Sequence, residues 1–401
     1  MDTKQLYFDD PRTLEFEADV TECRRLNDGR FGAILPETYF YPTSGGQEHD
    51  TGYIGEARVV DVQKEGDDII HLLDRELSPG IYPARIDGER RLKHMQHHTA
   101  QHILSASFLE VADIDSISAN INGDTPSTID LAVNEVDDET LKRAETFANK
   151  IFFENRAVKS FYVSDEDVPD LPFRKLPKVS GRIRVVEVDG FDLTPCGGTH
   201  VTQTGAIGIL KIVKTEHVKQ KVRIHFVAGI QALDTFQRVQ TAAQDAALIM
   251  DTGVEDLVES VERLQAQMKQ MQNEVDSLRG VLLGVEAEKL SAGAEAVEKI
   301  RLVTKLFDNR PAGELRSLAN KLRKESGMVA VLASYDGEKL SLVTACADDA
   351  NVDARVLLNN HLAPIGGRGG GSPTLAQGGG ATNTSALEVL FTQTKNYLNT
   401  M

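Results

Sequence analysis

Ten apolar residues, Val254, Leu257, Val261, Leu264, Met268, Met271, Val275, Leu278, Leu282 and Val285, stand alternately three and four positions apart. Only a helix gathers such positions onto one stripe, and more than four heptads of it is the pattern of a coiled coil. The stripe is read as the seam of a homodimer formed through residues 254–285, with an antiparallel hairpin inside one chain as the alternative. Gly280, Gly284 and Gly293 mark its weaker end.

The helix divides the 401 residues into dissimilar parts, and that length suits two to four domains. Residues 1–90 read as β: Phe31–Leu35, Ala57–Val62 and Asp68–Leu73 are short β-prone runs between turn-forming residues, which predicts a small barrel or sandwich. Residues 91–110 lack Gly and Pro and predict a helix, as do residues 139–154. Strands are predicted at 182–188, 207–214 and 221–227, so residues 91–232 read as an α+β domain. Residues 233–300 hold the helical segment. Residues 301–401 read as α/β, with helices near 311–325 and 353–362, strands at 328–333 and 340–344, and the tract Gly366–Gly371. The expected fold is a multidomain α+β protein: N-terminal small β-barrel, α+β core, coiled-coil segment and C-terminal α/β domain.

Charge follows the same divisions. The net charge of −17 argues against a protein that coats nucleic acid nonspecifically. Yet residues 1–90 carry −10 and residues 233–300 carry −7, while 91–232 and 301–401 carry −2 and +2. Within the neutral part, residues 171–226 hold ten basic side chains against four acidic ones. That run, with Arg182, Arg184, Lys211, Lys214, Lys221 and Arg223, is the expected path of an RNA phosphate backbone. No apolar stretch approaches the ~20 residues of a membrane span, no secretory signal follows Met1, and three scattered cysteines rule out a disulfide framework; a cytoplasmic protein is expected.

The chemistry concentrates in two short motifs. Four of the ten histidines lie between His94 and His102, and on a helix both His94/His98 and His98/His102 share a face. About a hundred residues on, Cys196 and His200 enclose Gly197, Gly198 and Thr199 in a tight turn. Imidazole and thiolate donors together suit Zn²⁺.

His98-Thr-Ala-Gln-His102 and Cys196-Gly-Gly-Thr-His200 resemble the HxxxH and CxxxH motifs of the editing domain of alanyl-tRNA synthetases. Phe40-Tyr-Pro-Thr-Ser-Gly-Gly-Gln47 through Asp50-Thr-Gly52 resembles the barrel signature preceding that core, and Val201–Lys214 the stretch following it. Gly366–Gly371 and Ala376–Gly380 resemble the DHH-associated domain that closes these enzymes. The chain starts at the barrel, without the aminoacylation domain, and so is most similar to the long form of AlaX-type alanyl-tRNA editing proteins.

The resemblance implies one Zn²⁺ per chain on His98, His102, Cys196 and His200, and hydrolysis of tRNA(Ala) mischarged with serine or glycine. Zinc serves either by acting on water and the ester carbonyl or by holding the substrate's amino group. Asp192 is expected to orient a ligand histidine or act on the water, and Gln47 to approach the substrate or brace the core. Thr99 and Ser118 are candidates to meet a serine hydroxyl. Gly366, Gly367, Arg368, Gly369, Gly370 and Gly371 are expected at the tRNA, as a nest of backbone N–H groups for phosphate. Three alternatives stand beside this: a non-catalytic zinc-containing tRNA-binding module, editing of another misacylated tRNA, and a DHH-type phosphoesterase, against which the absence of an Asp-His-His run counts.

Overall fold

The computed structural model describes residues 2–26, 29–381 and 384–400, with the backbone alone for 384–390. The architecture is α+β and divides into two compact units, residues 1–249 and 250–401.

The first unit opens with a seven-stranded antiparallel sheet, in the order Glu15–Val20, Gly80–Ile86, Gly52–Ile54, Ala57–Glu65, Asp68–Leu73, Phe31–Ile34, Glu22–Arg25. Its two outer strands are consecutive in the chain, separated only by Thr21. In a flat sheet they would lie six spacings, about 29 Å, apart, far beyond the reach of one residue. The sheet therefore curls into a half-barrel around Val20, Leu35, Phe40, Tyr41, Ile54, Val59, Ile69 and Leu73.

Inside this barrel His71 is wholly buried. Its Nδ1 faces the Ala33 carbonyl at 3.3 Å and so carries the hydrogen, leaving Nε2 to accept from the Thr38 hydroxyl at 2.9 Å. Burial lowers its pKa from 6.5 to about 4. The unfolded chain therefore binds a proton that the folded chain refuses between those values. Stability should fall as pH drops from 6.5 towards 4, by up to about 1.4 kcal/mol per unit from this residue. Urea midpoints at pH 7 and pH 5 check this, and the difference should shrink in His71→Asn.

Helix α1 (Gly88–Ala112) leaves the barrel under an Asp87 cap, whose carboxylate accepts from the N–H of Glu89 and Arg90, and stops at Asp113 in the left-handed region. With 15 of its 25 residues buried, it has no continuous polar stripe because neighbours cover it on nearly every side. Helix α2 (Asp138–Phe153) packs beside it. Beneath them lies a four-stranded antiparallel sheet, ordered Ser116–Asn120, Ser127–Leu131, Lys221–Ala228, Leu210–Val218. Ile103, Leu104, Phe108, Ile129, Ala148, Phe152, Ile224 and Phe226 fill the space between. A separate antiparallel sheet runs Val158–Val163, Ile183–Val188, Asp192–Pro195. Helix α3 (Gly229–Ile249) closes the unit.

Helix α1 is fastened to the barrel by a buried ion pair. Arg91 and Asp50, 1% and 0% exposed, meet through Nε and Nη2, and Arg91 donates further to the Pro11 and Tyr39 carbonyls at 2.6 Å. Asp50 also accepts from the Tyr41 N–H.

In the second unit, helix α4 (Leu257–Ala292) carries nine of the ten heptad residues, Val254 standing just before it, and 36 residues make it about 54 Å long. Only its end packs against this unit's core, through Leu283, Ala287 and Leu290. The expected seam, from Val261 through Met268 and Leu278 to Val285, is exposed on another face. After α4 comes a six-stranded sheet, ordered Glu295–Val297, Ile300–Asp308, Met328–Tyr335, Lys339–Cys346, Leu375–Ala381, Arg368–Ser372, covered by helices α5 (Ala312–Leu322) and α6 (Ala354–Leu362). The chain ends on helix α7 (Thr384–Leu398), which the sequence reading lacked.

The expected phosphate nest at Gly366–Gly371 takes another form. Residues 368–372 are extended and paired with 375–379 in a hairpin. A Cβ on Gly369 would lie 2.8 Å from Leu358 Cδ2, and one on Gly378 2.5 Å from Leu362 Cδ1. The glycines let α6 lie directly on the hairpin. Among the described residues no helix is long and apolar enough to cross a membrane.

Candidate metal centre

Helix α1 supplies His98 and His102, one turn apart, and the edge strand Asp192–Pro195 delivers Cys196 into the turn that ends at His200. These four residues place one donor atom each within 4.8 Å of the others. Cys196 Sγ lies 3.3 Å from both His98 Nε2 and His200 Nε2. The three imidazoles are buried, while Cys196 stays partly open.

Each imidazole has its other nitrogen engaged or faced by a named group. His98 Nδ1 meets Gln47 Oε1 at 2.7 Å, and Gln47, brought over from the barrel, also spans Thr199 through its N–H and hydroxyl. An amide oxygen only accepts, so His98 carries its hydrogen on Nδ1 and turns a lone pair on Nε2 towards the cluster. His200 Nδ1 lies 3.2 Å from Thr99 Oγ1, whose own hydrogen goes to the Met95 carbonyl. His102 Nδ1 faces Asp192 Oδ2 at 3.4 Å. Arg174 in turn holds Asp192, with Nε 2.6 Å from Oδ1.

The Cys196–His200 turn is tied from outside. Arg184 donates to the carbonyls of Cys196 (2.8 Å) and Gly198 (3.0 Å), and Tyr41 Oη donates to that of Gly197 (3.0 Å). The two glycines, alike in sequence, differ in space. A Cβ on Gly198 would stand 2.1 Å from His98 Cε1, whereas nothing lies within 4 Å of one on Gly197. Gly198→Ala should displace the His98 ring and lose metal, and Gly197→Ala should keep it; zinc stoichiometry of the two purified variants is the check.

The electrostatics suit a cation. Burial opposes ionisation of Cys196, but His98, His200 and His102 outweigh it and hold the thiol far below its ordinary pKa. Burial lowers His200 to about 3, leaving it neutral. Burial also acts downward on His102, yet the Cys196 thiolate and Asp192 raise it to about 9. Asp192 is itself held below the usual carboxylate range, against burial, by His102 and Arg174. Thiolates and neutral imidazoles are the forms that bind metal, so His102 would have to give up its proton on ligation.

The other candidate residues lie outside the donor set. His94 is buried outside the cluster, with neither ring nitrogen hydrogen-bonded. His97 accepts from the Ala228 N–H and pairs with Ser127 Oγ, a structural role. Thr99 and Ser118 were both candidates for a substrate hydroxyl. Thr99 donates to Met95, and Ser118 donates to Asp130 Oδ2 at 2.8 Å. The basic run is also largely neutralised. Asp130 pairs with Lys221 and Arg223, Glu145 with Lys211, and Glu216 lies 3.9 Å from Lys214. Arg184 is half-buried against the turn. Arg182 and Lys178 keep no carboxylate partner among the described residues. A count along residues 171–226 could not register Asp130 and Glu145, which lie outside it.

Two family matches bracket these observations. Residues 183–225 match the threonyl and alanyl tRNA synthetase second additional domain, and residues 299–400 match the DHHA1 domain. The class is thus that of proteins sharing the accessory domains of alanyl-tRNA synthetases. The chain is 33% identical over 391 residues to the alanine–tRNA ligase of Pyrococcus furiosus, covering 94% of this chain and 42% of that one. It is 34% identical over 395 residues to that of Halorubrum lacusprofundi, again 94% and 42%. The C-Ala domain from Aquifex aeolicus alanyl-tRNA synthetase matches 26% of this chain and 97% of its own, at 28% identity and a TM-score of 0.25. The chain spans about two fifths of the length of the curated relatives it matches. Together these matches fit an AlaX-type protein related to alanine–tRNA ligases.

Proposed function

We propose that the chain hydrolyses the ester of tRNA(Ala) mischarged with serine or glycine, at one Zn²⁺ per chain held by His98, His102, Cys196 and His200. The observation that carries this reading is the convergence of three imidazoles and a thiolate, each donor within 4.8 Å of the rest. The donor set fits zinc in type and number, and the Gln47 amide oxygen behind His98 and the Asp192 carboxylate facing His102 fit the support that zinc-binding histidines have. Zinc supplies Lewis acidity at an ester carbonyl and at water.

The chain's own residues hold that centre in shape. Gln47 fixes the tautomer of His98 and joins barrel to core. Thr99 accepts from His200, and Asp192, anchored by Arg174, aligns His102. Thr99 and Asp192 thus serve as positioning groups on this reading. The glycine hairpin with Arg368 is assigned to tRNA contact, the exposed heptad stripe to a homodimer seam, and the setting to the cytoplasm.

Hydrolysis rates on Ser-, Gly- and Ala-tRNA(Ala), with and without chelator, test the reading. Chelator-sensitive hydrolysis of the first two, with Ala-tRNA(Ala) spared, is expected. Tight tRNA binding without hydrolysis would instead mark a binding module, which a fully protein-coordinated zinc also allows. Preference for a mischarged tRNA of another identity would move the substrate within the same chemistry.

A further inference from the structure

The three-stranded sheet beside the metal centre presents a partly exposed aromatic ring, that of Tyr162. Strand Val158–Val163 is its outer strand, and the opposite edge, Asp192–Pro195, runs into Cys196. In register, Tyr162 stands directly opposite Arg184, and the next residue of that strand, Val185, stands opposite Pro195. Tyr162 is therefore two strands, roughly 10 Å, from the strand that delivers the thiolate. Arg184 connects the two places: it donates to the Cys196 and Gly198 carbonyls, lies over the Phe8 ring at 4.7 Å, and feels the phenols of Tyr162, Tyr41 and Tyr7.

At the surface the pattern of guanidinium on ring repeats. Arg182 lies over the Tyr162 ring, 3.9 Å from its centroid. Tyr162 is nevertheless 39% exposed, and the loop leading to Arg182 exposes Leu176 and Val179. Arg182 and Lys178 have no carboxylate partner among the described residues. Of the loop's acids, Asp165 accepts from the Gly181 N–H and Asp167 from Ser164, while Glu166 and Asp170 form no ion pair among the described residues. An exposed ring capped by a guanidinium without a carboxylate partner, with a second such cation four residues earlier in the same loop, suits a nucleobase with its phosphate attached.

We propose that Tyr162, capped by Arg182, is the stacking surface for the 3′-terminal adenosine of the RNA substrate, with Arg182 and Lys178 meeting the adjoining phosphates. The inference rests on the proposed function, because that reaction brings the nucleoside bearing the ester to the four donors. Stacking is indifferent to which amino acid is attached, so the platform would anchor the RNA end and leave discrimination to the metal side.

Steady-state hydrolysis of Ser-tRNA(Ala) by Tyr162→Ala, Tyr162→Phe and Arg182→Ala is the test, with zinc content and melting temperature measured alongside. Tyr162→Ala should raise KM about tenfold or more and leave kcat within about twofold, from the usual worth of one stacked base. Tyr162→Phe keeps the ring and should restore the wild-type KM. Arg182→Ala should raise KM and weaken its dependence on salt. An unchanged KM in Tyr162→Ala would overturn the platform, and so would an equal defect in Tyr162→Phe. Should the alanine variant fail to fold, Tyr162→Leu takes its place. A second readout needs no hydrolysis: 2-aminopurine replacing the terminal adenine of uncharged tRNA(Ala) should be quenched by the wild type and not by the Leu or Ala variant. Wild-type protein that hydrolyses no mischarged tRNA refutes the proposed function. Hydrolysis that ignores Tyr162 refutes the platform alone.

Discussion

Alanine at Cys196 or His102 is expected to reduce zinc from one per chain to almost none and to cut deacylation of Ser-tRNA(Ala) by more than about 100-fold. Losing an outer partner of a metal ligand typically costs 10–100-fold in affinity or activity, and losing the ligand should cost more. Asp192→Asn and Gln47→Ala belong in that lesser range, because each removes a group behind a ring and not a donor. Affinity for uncharged tRNA should be retained, since neither donor contributes to the cationic surface. Elemental analysis, hydrolysis rates and tRNA binding on the same preparations separate the outcomes. Hydrolysis persisting in the zinc-free variants would refute the catalytic reading.

The second large effect concerns the fold that carries the donors. Arg91→Met should destabilise the first unit by about 3–5 kcal/mol, because it strands the Asp50 carboxylate in an interior where both partners are almost fully buried. The Pro11 and Tyr39 carbonyls lose their donors as well. Replacing both charges, in Arg91→Met with Asp50→Leu, should recover much of the loss, since a buried pair is often no better than an apolar substitute. Urea denaturation of the two single variants and the double variant measures the coupling. Additive single effects would show that the pair is not what joins α1 to the barrel.

Much of the architecture was legible because it depends on local periodicity. Helix α1 lies where a Gly- and Pro-free run predicts it, with Asp87 at its start, and α4 lies where the three-four spacing requires. The strand expected at 207–214 begins instead at Leu210, after a short 3-10 turn over Thr204–Ile207. Helix α7 escaped notice, and the glycine tract read as a loop. In the structure that tract is a sheet edge, because its missing side chains admit α6, which only the packing reveals.

Spacing along a helix nominates both His94 and His102 as partners for His98, and it cannot choose between them. The choice is made in space, where the Cys196–His200 turn reaches His98 and His102 and His94 is buried apart. The same limit applies to Gln47, about fifty residues before His98, and to Arg174, eighteen before Asp192, since no local period connects a ligand to the group behind it. Charge counting failed for a related reason: Asp130 and Glu145 cancel basic residues more than sixty positions away. By itself the sequence determined most of the element types and which residues offer imidazole and thiol donors, because these follow from residue type and short-range spacing. The tertiary structure alone decided which imidazoles converge, which nitrogen of His98 faces the cluster, why Gly198 and not Gly197 must lack a side chain, and which arginines remain free. Those depend on contacts between distant segments, and a buried polar group takes its role from whatever partner the fold brings within hydrogen-bond reach.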